Sequence, residues 1–238
     1  MEIFLFILII LIASILQTST GFGFSILATP FLLLLFEPRE AIQINLILSL
    51  IISAVLFSKI KKDTDFEVLK RFAIGSAAGL PIGIAIFLLL DISWLKLAVS
   101  LIILLLTILL MANFRVKETR RRDYSASGLS GIMTTSIGMP GPPLLLYFSG
   151  TDTQKERLRG TTLAFYLFIY SSSLVFQIIF AGTNKTIWLS SLYALPLVLL
   201  GLYFGQILFV KINQRFFKVF TYIILIFTGI YLLVESVR

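Results

Sequence analysis

Long stretches without a charged residue set the pattern of this chain. Eight runs, 3–36, 41–58, 72–90, 97–114, 124–151, 160–184, 186–210 and 219–234, contain no Asp, Glu, Lys or Arg and consist mostly of Leu, Ile, Phe, Val and Ala. Runs of this length predict helices that cross a hydrocarbon core of about 30 Å. Two of the runs, each the first of its half, are interrupted. One carries Thr18, Ser19, Thr20, Gly21, Phe22 and Gly23; the other carries Thr135, Ser136, Ile137, Gly138, Met139, Pro140, Gly141, Pro142 and Pro143. Hydroxyls followed by glycines and prolines at membrane depth suit a discontinuous helix that lines a polar site, not a plain spanning helix.

The two halves read as copies. A shift of 117 aligns Thr18 with Thr135, Ser19 with Ser136 and Gly21 with Gly138; a shift of 122 aligns Gly79 with Gly201, Gly83 with Gly205 and Lys96 with Lys218. Both halves keep one order: a hydroxyl–glycine element, a Gly-xxx-Gly helix, then a Lys that opens a final helix. The expected organisation is a first membrane repeat at 1–114, a basic cytoplasmic linker at 115–123 and a second repeat at 124–238. Duplicated halves are a common build of secondary transporters, with the site at the repeat interface.

Charge placement decides between two ways of threading the runs. If all eight are simple crossings and the N-terminus is cytoplasmic, 12 of the 20 basic residues lie inside. If 3–36 and 124–151 instead enter and return as re-entrant hairpins, 16 lie inside and 4 outside. The excess of Lys and Arg on cytoplasmic loops favours the hairpins. Run 3–36 as one helix would also be about 51 Å long at 1.5 Å per residue, too long for one span. Each half then has three crossings and a hairpin, so the second is inverted, and the hairpin tips Gly21–Gly23 and Gly138–Gly141 are expected to meet near the midplane. The fold class is therefore an all-α polytopic membrane protein of about eight hydrophobic segments in two inverted halves.

Composition agrees with that class. Hydrophobic residues make up 58% of the 238 and charged residues 13%, and mean hydropathy is +1.00, against about 25% charged in ordinary globular domains. The net charge of +8 reads as topogenic loop charge and not as a nucleic-acid footprint. The chain has no Cys and no His, so a thiolate or imidazole metal site, a Cys nucleophile and the commonest general base are all excluded. Met1 and Glu2 lead straight into apolar residues without the basic start of a signal peptide, and read as the beginning of the first membrane segment.

The broken segments supply the candidate chemistry. Thr18, Ser19, Thr20 and Ser25, with Thr134, Thr135 and Ser136 opposite them, offer hydroxyl donors. Gly21, Gly23, Gly138 and Gly141 let backbone approach a ligand, and Pro140 holds the return strand extended. A helix N-terminus adds unpaired N–H groups and a positive dipole end. A neutral, donor-rich pocket of this kind suits an oxyanion and not a metal cation, for which no intramembrane carboxylate is present. Small residues in membrane helices also serve close packing alone, the preferred reading for Gly75, Gly79, Gly83, Gly201 and Gly205. Gln17, Asn45, Thr161, Thr162, Gln177 and Gln206 are the other polar residues inside the runs. Arg157 and Arg159 read as loop charges that could also attract an anion.

Together the Gly-x-Gly element at 21–23 with Pro30 after it, the Gly-x-Pro-Gly-Pro-Pro element at 138–143, the four-plus-four segments and the central basic loop resemble the TauE/SafE family over about residues 5–235. Members are bacterial and archaeal membrane proteins that carry sulfite or organosulfur anions. The resemblance implies a transporter whose site lies around Gly21, Gly23, Gly138 and Gly141. Pro140 departs from a stretch that is often richer in glycine. The expectation is a secondary transporter or facilitator of small anions in a bacterial or archaeal cell membrane. It needs no cofactor, metal or catalytic residue, its partners are a small anion and the lipid bilayer with no nucleic acid, and a homo-oligomer is allowed. An anion channel and a membrane-embedded enzyme are the alternatives. The enzyme is disfavoured because no His, Cys or intramembrane acid pair supplies acid–base chemistry.

Overall fold

The computed structural model describes residues 2–112, 119–150, 153–211 and 214–237. Residues 113–118, which include the first part of the basic linker, lie outside the described residues, as do the side chain of Lys218 and all of Arg238. Among the described residues the chain is all-helical, with ten α-helices: α1 (Glu2–Thr20), α2 (Phe24–Leu35), α3 (Pro38–Ile60), α4 (Phe66–Leu89), α5 (Ile92–Met111), α6 (Arg120–Ile137), α7 (Gly141–Gly150), α8 (Lys155–Ala181), α9 (Lys185–Lys211) and α10 (Gln214–Val237). Five of them, α1, α3, α4, α8 and α9, are long and apolar enough to cross a membrane. Runs 3–36 and 124–151 are each divided between two helices.

Glycine ends the first helix of each divided run. Gly21 has φ 85° and Gly138 φ 76°, a left-handed conformation that costs a residue with a side chain roughly 1–2 kcal/mol. Gly21 returns its N–H to the Gln17 carbonyl at 2.8 Å, and Gly138 returns its N–H to Thr134 at 2.7 Å. The first run then doubles back on itself. The Phe6 and Phe36 rings stand 5.7 Å apart, edge to face, so the two ends of 3–36 lie side by side.

Two antiparallel helices form the middle of the molecule. Residues 41–49 of α3 and 158–166 of α8 are buried without interruption. At one end of this pair Arg39 Nη1 donates to the Ala181 carbonyl at 3.1 Å and Gln43 Nε2 to Gly182 at 2.7 Å. At the other end Thr64 Oγ1 donates to Gly160 O at 3.3 Å, and the Asp65 N–H to Thr161 Oγ1 at 3.0 Å.

The Gly-xxx-Gly helices pack around this centre. Glycines let backbones approach closely, which drives helix association where lipid provides no hydrophobic contrast. A Cβ on Gly79 would lie 2.3 Å from the Gly128 carbonyl of α6, and one on Gly201 2.3 Å from the Ser14 Cβ of α1. Gly83 meets Thr135 and Gly205 meets Thr18 in the same way. α4 therefore runs parallel to α6, and α9 parallel to α1. Exchanging α1–α5 for α6–α10 leaves the set of principal helix pairs unchanged: α4 with α6 and α9 with α1, α4 with α8 and α9 with α3, α5 with α7 and α10 with α2, and α3 with α8 and α5 with α10.

Charged side chains mark the two ends of the bundle. Arg157 pairs with Asp65, and Arg71 with Asp123, at one end. Asn184 donates to Glu40 at 2.7 Å at the other. Near that second end Lys96 of α5 meets Glu235 of α10 at 3.4 Å. Segments 61–71, 119–123 and 153–159 thus share an end, so run 124–151 starts and finishes at the same end of the bundle.

Candidate functional site

Of the tips Gly21–Gly23 and Gly138–Gly141, which the sequence predicts to meet near the midplane, Gly21 and Gly138 each pack against a different helix. Gly21 sits against Arg159, where a Cβ would lie 2.8 Å from the Arg159 Cα. Gly138 sits against Asn45, whose Nδ2 donates to the Gly138 carbonyl at 2.7 Å. Arg159 is in the second turn of α8 and Asn45 in the third turn of α3, and these helices are antiparallel, so the turns approach opposite ends of the bundle. The reason is length: 19 residues of α1 extend about 28 Å, past the midplane.

The hydroxyls near the turns are engaged by their own helices. Ser19 donates to Ile15 O at 2.8 Å, Thr20 to Leu16 O at 2.7 Å, Thr135 to Gly131 O at 3.2 Å and Ser136 to Ile132 O at 2.7 Å. Thr135 Oγ1 also lies 3.0 Å from Ser173 Oγ, and Gln177 donates to the Thr135 carbonyl at 2.7 Å. Thr18 Oγ1 is buried without a partner. Threonine and serine bond back in this way because their hydroxyls reach the carbonyl one turn earlier. Apart from that of Thr18, these hydroxyls thus have a hydrogen-bond partner within the protein.

The starts of the two return helices are what converge. A Cβ on Gly141, the first residue of α7, would stand 3.0 Å from Ile26 Cδ1 in the first turn of α2. It would also stand 3.2 Å from the Tyr166 hydroxyl of α8. The Tyr166 ring lies 4.8 Å from that of Tyr170, and the Tyr170 hydroxyl donates to Ser25 Oγ at 3.3 Å. Tyr166 is fully buried and its hydroxyl has no partner. Gly23 caps α2 at φ 118° with no side-chain bond, so the first-turn N–H groups of α2 lack intrahelical partners. In α7 only Gly141 and Leu144 can donate in the first turn, since Pro142 and Pro143 have no N–H. Ser130 Oγ holds the strand between α6 and α7 by donating to Pro140 O at 2.7 Å.

The sequence reading singled out Ser25 and Gly141 here but not Tyr166 or Tyr170, because aromatic residues in an apolar run look like core or interfacial anchors. Asn45, Arg159 and Gln177 are visible as polar interruptions, but nothing local says that Asn45 and Arg159 each reach a helix end in the other half, or that Gln177 reaches Thr135 in its own. Outside the spans, partial burial would raise the Asp65 carboxyl. The N–H of Val68, the Arg157 guanidinium and the N–H of Glu67 outweigh it and hold the carboxyl below its ordinary value. Among the described residues no group of His, Cys, Asp or Glu could hold a metal ion.

These are features of a membrane protein with polar groups in its interior, and the family comparison names its class. The profile of the sulfite exporter TauE/SafE family matches residues 6–232, and the chain belongs to that family. It is accordingly a multi-pass membrane protein of a transporter family. No curated protein matches the chain, and no solved structure does.

Proposed function

We propose that the chain is a secondary transporter of small anions, of the sulfite, sulfonate or related oxyanion class, built from inverted repeats at 1–114 and 124–238 joined by the linker 115–123. One observation carries the site: α2 and α7 begin side by side in the interior, at Ser25–Ile26 and Gly141, beside the unpartnered Tyr166 hydroxyl. Two helix N-termini direct positive dipole ends and free N–H groups at one place. Each is worth about 0.3–1 kcal/mol to an anion at a surface and up to about 2 when partly buried. The polar side chains named around this point, Ser25, Tyr166 and Tyr170, carry hydroxyls, which suit an anion and leave a cation without counter-charge.

On this reading Ser25, Gly23 and Gly141 touch the substrate. Thr18, Ser19, Thr20, Gly21, Thr135, Ser136, Gly138 and Pro140 shape the turns that carry the half-helices. The two hairpins supply the elements that exchange access, each hinged at a positive-φ glycine. The end bearing 61–71, 119–123 and 153–159 faces the cytoplasm of a bacterial or archaeal cell, following the basic-residue bias.

Purified protein in liposomes provides the test. Uptake of labelled sulfite or a sulfonate should saturate, show counterflow and be competed by other oxyanions. Large electrical current without counterflow would make the protein a channel. Saturable uptake of an amine or metal cation, indifferent to oxyanions, would overturn the anion assignment.

A further inference from the structure

We propose that Arg159 is the first charge partner of the transported oxyanion, an outer station between the basic end of the bundle and the convergence of α2 and α7. This rests on the anion-transport reading above and names a residue for it. Arg159 is 6% exposed. Its Nε donates to the Thr18 carbonyl at 2.8 Å, and its Cζ lies 4.1 Å from the centroid of the Phe209 ring. Its Nη2 is buried with no partner. A buried N–H left unpaired is costly, most of all on a charged group.

A cation at the C-terminus of α1 has an ordinary structural use, because it satisfies a terminal carbonyl and meets the negative end of the dipole. That use accounts for Nε and leaves Nη2 unexplained. With Nε given to Thr18, Nη2 is left as a charge-assisted donor held in a fixed direction toward one oxygen of an oxyanion, a direction that a freely rotating ammonium does not fix. Here the Phe209 ring and the Thr18 carbonyl hold the plane, and Nη2 remains to receive a ligand. Thr18 Oγ1 is unpartnered as well, and Thr162 Oγ1, one turn further along α8, is likewise buried without a bond.

Position fits a route. Lys155, four residues earlier, places its Nζ 5.1 Å from the same Phe209 ring, so a basic pair stands at this end of α8. Tyr166 lies seven residues beyond Arg159, about 10 Å along the helix. An anion released from Arg159 has that distance to travel to reach the starts of α2 and α7.

The test compares wild-type protein with Arg159→Lys and Arg159→Gln in liposomes, using sulfite and a small sulfonate against chloride. Arg159→Lys keeps a cation for the Thr18 carbonyl and so preserves the structural use. The expected result is normal yield and thermal midpoint, an apparent KM for sulfonate raised at least tenfold, and a reduced preference for sulfonate over chloride. Arg159→Gln should raise KM further and lose the sulfonate-induced rise in thermal midpoint. Wild-type KM and anion preference in Arg159→Lys would overturn the role of Arg159 while leaving the transporter reading intact. No oxyanion flux in the wild type would overturn both.

Discussion

A Cβ on Gly205 would lie 2.5 Å from the Cβ of Thr18, and at the equivalent contact in the other half a Cβ on Gly83 would lie 2.9 Å from that of Thr135. The threonine that precedes each glycine turn is thus pressed, through its Cβ, against a glycine of a helix from the opposite half. The turns are set by that packing before any ligand is considered.

Not every glycine in these interfaces is tight, and the difference can be measured. A Cβ on Gly131 would approach the Ser76 carbonyl to 2.4 Å, whereas one on Gly128 meets only the Gly75 carbonyl, at 3.5 Å. Gly131→Ala should lower the thermal midpoint in detergent, at a cost of about 1–3 kcal/mol. Gly128→Ala should be neutral or stabilising by up to about 1 kcal/mol, since alanine favours the helix. Equal loss in both would show that these contacts do not limit stability.

Threading of the chain is accessible to labelling, because the native sequence has no cysteine. A single cysteine at Lys211 should resist an impermeant thiol reagent outside intact cells, and one at Lys185 should react. Both positions are exposed and bound the same helix, α9. Labelling in the opposite sense would reverse the proposed orientation.

Tyr166→Phe separates a ligand-binding hydroxyl from a structural one. The Tyr166 hydroxyl is buried without a partner, so its removal deletes a desolvated polar group and should leave the thermal midpoint unchanged or raised. Anion uptake should fall several-fold through a higher KM. Undiminished uptake by a well-folded variant would take Tyr166 out of the site.

The Asp65 carboxylate accepts from the N–H groups of Glu67 and Val68, both at 3.0 Å, and pairs with Arg157 of the other half. Its pKa is held below the unfolded value of about 3.9. The stability it confers is therefore present above that value and lost as pH falls through the lower folded value. Asp65→Ala should cost about 0.5–2 kcal/mol at neutral pH through loss of the cap. It should also flatten the decline of the thermal midpoint below about pH 4. A decline as steep as the wild type's would assign the acid sensitivity to other carboxylates.

The class of this protein is legible in its amino-acid sequence alone. Charge-free runs too numerous for a soluble core dictate a helical membrane protein, because buried backbone in lipid must bond within its own segment. The Gly-x-Gly element at 21–23 with Pro30 and the glycine–proline element at 138–143 are local chain features, and they carry the family resemblance that the family profile meets over 6–232. The partner of each broken segment, by contrast, is set by helix packing across the two halves. Thr18 is 141 residues from the arginine that bonds its carbonyl, and Gly138 is 93 residues from Asn45. Such pairs depend on helix crossings set by close glycine contacts, which no local pattern encodes. The hydroxyls carry a similar lesson: serine and threonine read as free donors in sequence, but in a helix the nearest acceptor is the carbonyl one turn back. The convergence of Ser25, Gly141, Tyr166 and Tyr170 emerged only once α2 and α7 were folded back against α8.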